Sequence, residues 1–233
     1  MSRLQEARQR LAERKGRVLN ACYYRFVFGR RLPFSRQLVA RLQAWEREHG
    51  NGDTPVSQTV WERQYQRGTW TFLNDLSELG RYSIIVGYLS QLKPRAAVLD
   101  IGCGEGILFS RYKHYGYARY CGVDVSAVAL EKLLPAQDTN TAFICADAET
   151  YLPAERFDAI VFSESLYYFH APLDAIDHYA AALNKNGIVI VSTYTGSPRA
   201  LAILRALKAK YSLVDETQIT RSALSWICTV FSF

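Results

Sequence analysis

The residues that first suggest chemistry are the glycines at 102, 104 and 106 in VLDIGCGEG, Val98 to Gly106, behind an apolar run and an aspartate. A glycine turn that leaves a strand and opens a helix turns backbone N–H groups and a helix N-terminus toward a ligand. Glycine there permits positive φ and close approach. Both a dinucleotide and a phosphate-free adenosine derivative suit such a turn. A dinucleotide fingerprint wants a third glycine three places after the second, and from Gly104 that position is Ile107. Asp100, just before the turn, would repel a diphosphate, whereas the same carboxylate suits an ammonium group. The turn therefore favours S-adenosylmethionine, which carries a sulfonium and an amino acid moiety and no phosphate.

Two further carboxylates follow at strand ends. GVDVS contains Asp124, 22 residues beyond Gly102, where a carboxylate can accept hydrogen bonds from ribose hydroxyls. CADAE supplies Asp147, within reach of an adenine amino group, or else simply capping its strand. Methyl transfer needs an acceptor aligned with an activated methyl group and, where required, a base. The acceptor is expected beyond the carboxyl end of the fourth strand, at SESLYYFH, residues 163–170. Ser163 would lie against the methionine portion of the cofactor. Glu164, Tyr167 and His170 are the catalytic candidates, and Tyr168 a substrate contact; the tyrosines would otherwise be rim aromatics and His170 a loop residue. Trp61, Tyr65 and Trp70 either fold over the cleft, with Tyr65 and Trp70 touching substrate, or pin the preceding helices. Arg81 and Tyr82 reach the cofactor carboxylate or pack.

Elements of two kinds must position these residues. Up to about residue 91 the chain reads as helical, over 3–48 with a break at Arg31–Pro33, then at Thr59–Gln66 and Leu76–Gln91. The linker signal is His49–Pro55, so residues 1–55 are expected as a basic helical extension and 56–233 as the catalytic domain. From residue 97, strands at 97–101, 119–123, 142–145, 157–162 and 187–194 alternate with helices at 106–115, 126–135, 173–184 and 198–210. That alternation argues a mostly parallel α/β sheet. Tyr211–Thr217 and Leu224–Phe233 read as strands separated by too few residues for a helical crossover, so this pair must be antiparallel. A six-stranded nicotinamide domain ends parallel, which again disfavours redox chemistry.

Composition bounds the rest. In the 233 residues, 49% hydrophobic and 21% charged content is that of a globular chain. No apolar run reaches a membrane span and no secretory signal is read at the N-terminus. Five cysteines lie scattered without CxxC pairs, so no metal site or disulfide framework is expected, and a cytoplasmic setting is. Residues 1–50 hold 12 Arg/Lys against 4 acids, net +8, and residues 51–233 are net −2. Such a basic segment is a solvated face, or a peripheral contact for an anionic membrane surface. RNA is a less expected partner, because no stacking-rich motif accompanies the arginines.

VLDIGCGEG, GVDVS, ADAE, FDAIVFSESLYYF and LNKNGIVIVSTY, in this order and spacing, resemble the successive motifs of class I S-adenosylmethionine-dependent methyltransferases, over roughly residues 60–233. The resemblance implies a Rossmann-like seven-stranded sheet of order 3-2-1-4-5-7-6 with strand 7 antiparallel. It implies S-adenosylmethionine as cofactor and S-adenosylhomocysteine as product. Asp100, Gly102, Cys103 and Gly104 would line the methionine end, Asp124 and Val125 the ribose, and Asp147 and Ala148 the adenine. The DNA amino-methyltransferases of the family carry an Asn/Asp-Pro-Pro-aromatic motif where SESL stands, so DNA is not expected as substrate. SESLYYF, WERQYQRGTW and ELGRYSIIVGY look like segments of the nodulation N-methyltransferases, which modify an amino sugar of a chitooligosaccharide. That second resemblance implies an amine or hydroxyl acceptor on a small molecule or saccharide. An RNA methyltransferase and a non-catalytic cofactor-binding module are the alternatives.

Overall fold

A computed structural model describes residues 55–221 and 224–233. The helices expected over 3–48, and the linker up to residue 54, lie outside the described residues.

Seven strands form one sheet in the order β3-β2-β1-β4-β5-β7-β6. They are β1 Ala97–Ile101, β2 Arg119–Asp124, β3 Thr141–Cys145, β4 Phe157–Ser163, β5 Leu183–Tyr194, β6 Ser212–Arg221 and β7 Leu224–Ser232. The first five pair in parallel, while β7 runs antiparallel to both β5 and β6. Alternation along β4 sends Ala159 and Val161 to one face and Ile160 and Phe162 to the other. Such two-sided burial makes the inner strands near-continuous apolar runs, and it builds a core on each face.

Helices α1 Gln58–Gln66, α2 Leu79–Leu92, α3 Ile107–Tyr112, α4 Ala127–Glu131, α5 Pro172–Ala180 and α6 Pro198–Lys210 complete the fold. The apolar face of α2, with Tyr82, Ile85, Val86 and Leu89, joins the core on one side of the sheet. On the other side the core takes Ile176 and Tyr179 from α5 and Ile203, Leu204 and Leu207 from α6. Ser197 caps α6 by accepting from the N–H of Ala200, and Pro198 opens the helix, where its missing N–H costs nothing.

Several helices stop earlier than their apolar periodicity suggests. The expected helix 126–135 ends at Glu131 and gives way to a 3₁₀ turn at Leu134–Ala136 around Pro135, which has no N–H to donate. Helix α3 ends at Tyr112 and tightens into a 3₁₀ turn closed by Gly116 at φ 76°. Helix α2 starts at Leu79, not 76, because residues 76–78 form turns in which Glu78 and Leu79 donate only three residues back, to the carbonyls of Asp75 and Leu76. The fifth strand reaches back to Leu183, which pairs with Phe157 across a register irregularity. β6 runs four residues past Thr217, its pairing with β7 continuing to Arg221 opposite Leu224.

Candidate functional site

The carboxyl ends of β1, β2 and β4 meet at the glycine turn. Gly102, Gly104 and Gly106 all have positive φ, at 74°, 53° and 71°. A Cβ on Gly102 would come within 2.6 Å of the Ser165 Cβ, and one on Gly104 within 2.7 Å of the Tyr65 hydroxyl. Glycine is therefore required for the β4 loop and α1 to close on the turn. The expected display of loop N–H groups to a ligand is corrected here. Gly102 and Cys103 both donate to the Val123 carbonyl, Gly104 donates to Asp124 Oδ2 at 2.8 Å, and Gly106 donates to the Cys103 carbonyl. With these donors spent inside the protein, the turn offers little to a diphosphate, in keeping with a phosphate-free ligand.

The carboxylates around the turn differ in environment. Asp100 is 1% exposed; Tyr120 donates to its Oδ2 at 2.6 Å, while its Oδ1 has no partner among the described residues. Burial, chiefly, pushes its carboxyl up to about 7. Asp124 is buried too, accepting from the N–H groups of Gly104 and Ser126. Burial raises its pKa, those two donors lower it, and the neighbouring Glu62 raises it again. Asp147 is exposed and accepts the Glu149 N–H in a tight turn. From α2 comes Arg81, 1% exposed, donating to Glu78, to Ser163 Oγ at 2.8 Å and to the Tyr82 hydroxyl. An orphan carboxylate oxygen suits an ammonium group and a buried guanidinium suits a carboxylate. The amino acid end of S-adenosylmethionine presents both, so the residues fit it.

Glu164 has φ 58°, strain that a non-glycine residue keeps only where its surroundings hold it. Its Oε1 accepts from Ser192 Oγ, and its Oε2 from the Tyr194 N–H and the Tyr167 hydroxyl. Burial raises its pKa against the pull of Arg81 and these donors. The carboxylate thus ties the β4 loop to the end of β5. On the next turn, Tyr167 and Tyr168 lie ring to ring at 4.6 Å, and Tyr168 meets Trp61 edge-on at 4.8 Å. His170 is exposed, with Nδ1 held by the Glu149 carboxylate at 2.8 Å.

One cavity of about 830 Å³ collects these groups. Its lining contains Tyr65, Trp70, Asp100, Gly102, Cys103, Gly104, Asp124 and Val125, together with Asp147, Ala148, Ser163, Glu164, Tyr167, Tyr168 and His170. The structure therefore brings together every site residue expected from the sequence. It adds others that no spacing announces. Arg199 of α6, buried, donates at 2.8 Å to the carbonyls of Tyr167 and Phe169, bracketing Tyr168. Glu62 of α1 accepts from Ser126 Oγ and from the N–H groups of Ala127 and Val128, at the start of α4.

A family profile described as a methyltransferase domain matches residues 74–230, most of the chain. The chain belongs to the class I S-adenosylmethionine-dependent methyltransferases. Among methyltransferases of known identity, the malonyl-[acyl-carrier protein] O-methyltransferase of Haemophilus influenzae is 35% identical over 104 residues, covering 42% of this chain and 38% of that relative. The chain thus spans well under two thirds of that relative's length. The tRNA U34 carboxymethyltransferase of Tolumonas auensis is 22% identical over 223 residues, covering 74% of this chain and 68% of the relative. The N-methyltransferase NodS of Bradyrhizobium japonicum, solved with S-adenosyl-L-homocysteine, superposes with a TM-score of 0.63 at 19% identity, covering 73% of this chain and 97% of that one. This likeness shows the methyltransferase fold. Among the described residues, no helix is long and apolar enough to cross a membrane.

Proposed function

We propose that residues 56–233 are a catalytic domain that transfers a methyl group from S-adenosylmethionine to an amine or hydroxyl of a small-molecule or saccharide-like acceptor. The observation that carries this reading is that one cavity is lined both by the buried Asp100, Asp124 and Arg81 and by Glu164, Tyr167, Tyr168 and His170. When bound, the cofactor supplies a methyl group already activated on a sulfonium. Asp100 and Arg81 would hold its amino acid end, Asp124 its ribose, and Asp147 with Ala148 its adenine. The protein's remaining work is alignment and proton removal. Glu164 fixes the β4 loop, and the aromatic rings beside it exclude water. His170, with Nδ1 donating to Glu149, presents Nε2 as the nitrogen that can take a proton. Calorimetry with S-adenosylhomocysteine and with NADH tests the donor side. A scan of metabolite and saccharide pools with isotopically labelled cofactor tests the acceptor side. Tighter binding of NADH would sink the reading.

A second reading, methylation of RNA, is favoured by the long alignment with the Tolumonas enzyme and by the net +8 of residues 1–50. Loss of labelled product from the small-molecule pool and its appearance in RNA would establish it.

A further inference from the structure

The cavity that holds the donor-side carboxylates is also lined by two groups of aromatic rings. In one group Phe72, Trp70, Trp61 and Tyr168 follow one another with ring centroids 6.0, 5.7 and 4.8 Å apart. On the sheet side Tyr194, ending β5, and Trp226 of β7 lie 6.0 Å apart. All six rings line the same cavity. Asp75, Glu78, Glu149 and Glu164 line it too, and Arg81 is the one Arg or Lys among the described lining residues. The Arg81 guanidinium, bonded to Glu78, Ser163 and Tyr82, is assigned above to the cofactor carboxylate, which would leave it committed to the donor.

We propose that this end of the cavity is the acceptor subsite, and that it takes a ring-bearing amine or ammonium compound while rejecting the same ring bearing a carboxylate or phosphate. The proposal rests on the methyltransferase reading given above and names the acceptor class within it. Aromatic faces attract a cation and stack on the flat face of a ring. The exposed Asp75 carboxylate adds attraction for an ammonium group. An anion placed beside these groups would lose its hydration with no further Arg or Lys among the described lining residues to pair it. Neither Phe72 nor Trp226 is among the residues assigned above to the donor, so on this proposal the subsite can be altered without touching donor binding.

Calorimetric titration of the full chain saturated with S-adenosylhomocysteine reads the sign of the preference. The probes are tyramine against 4-hydroxyphenylacetate and glucosamine against glucuronate, pairs that keep the ring and exchange the charged group. The cationic member of at least one pair should bind about tenfold tighter or more. Phe72→Leu at the exposed rim and Trp226→Leu in the sheet should each weaken that binding and leave the affinity for S-adenosylhomocysteine unchanged. Equal or tighter binding of the anionic members overturns the subsite. So does binding of neither member at millimolar concentration, or binding that both variants leave intact. Failure of S-adenosylhomocysteine itself to bind shows before any acceptor is added, and it overturns the donor site along with the subsite.

Discussion

If Asp100 holds the ammonium group of the cofactor, as proposed, cofactor binding should depend on pH. Its burial pushes the carboxyl up to about 7, so at lower pH the ligand-free protein holds it neutral. An ammonium group gains only from the ionised form. Affinity for S-adenosylhomocysteine should therefore fall as pH drops below about 7, approaching about tenfold per pH unit, and level off above it. Asp100→Asn should bind weakly and without this slope. The same shift has the opposite sense for stability. The folded carboxyl keeps its proton where an unfolded aspartate, near 3.8, has lost it. Its contribution is thus full at low pH and is lost as pH rises from about 4 to about 7. Thermal unfolding of ligand-free protein against pH should show that loss in wild type, and Asp100→Asn should lack it; parallel curves would refute the assignment. Asp124→Ala should weaken S-adenosylhomocysteine by about 1–3 kcal/mol through lost charge-assisted hydrogen bonds, and an unchanged dissociation constant would remove Asp124 from the site. Both carboxylates were legible in the sequence because each sits at the carboxyl end of an apolar strand. Arg199 was not, since it acts on two carbonyls some thirty residues away through the fold. Lysine cannot bridge both carbonyls as a guanidinium does. Arg199→Lys should accordingly raise the acceptor KM or lower kcat while donor affinity stays put.

At the scale of elements, α1 is held differently from its neighbours. It contains no buried residue, yet it carries Trp61 and Tyr65 to the cavity. Its polar attachment is Glu62, whose oxygens accept from Ser126 Oγ at 2.8 Å, Ala127 N–H at 2.9 Å and Val128 N–H at 3.1 Å. The two N–H groups are among the donors a helix start leaves unsatisfied, so a side chain more than sixty residues upstream caps α4. Glu62→Ala should lose about 1 kcal/mol, as other helix caps do. It should also speed amide exchange across residues 58–66 without changing exchange in β1 or β4. Unchanged exchange across residues 58–66 between wild type and Glu62→Ala would show that ring contacts alone hold α1. The sequence marked WERQYQ as a helix but nothing in it linked Glu62 to Ser126. Sheet architecture was more readable, because its signals are local. Apolar runs with glycine or aspartate at their ends delimit the parallel strands, and the short link after β6 forces the antiparallel pair. Helix ends were misjudged where Pro135 and the turns at residues 76–78 overrode an unbroken apolar rhythm.

For the whole molecule, charge separates the two acceptor readings. The excess of +8 lies in residues 1–50, while the remainder is net −2, and Arg81 is the lone Arg or Lys among the described residues lining the cavity. If the chain acted on RNA, the basic segment would carry the phosphate contacts, and log Kd would rise steeply with log salt, by close to one unit of slope for each phosphate neutralised. Replacing Arg8, Arg10, Arg14 and Lys15 together by Gln in the full chain would then flatten that slope and abolish labelling of RNA. A small amine or hydroxyl acceptor is held by the cavity and not by the segment. On that reading the same replacement should leave kcat/KM for the labelled small-molecule product within about twofold, and it should not alter salt dependence beyond what screening of exposed charges gives. Parallel measurement of the two products in wild type and the fourfold variant therefore assigns the acceptor to the cavity or to the basic segment, and a loss confined to RNA labelling would replace the small-molecule reading.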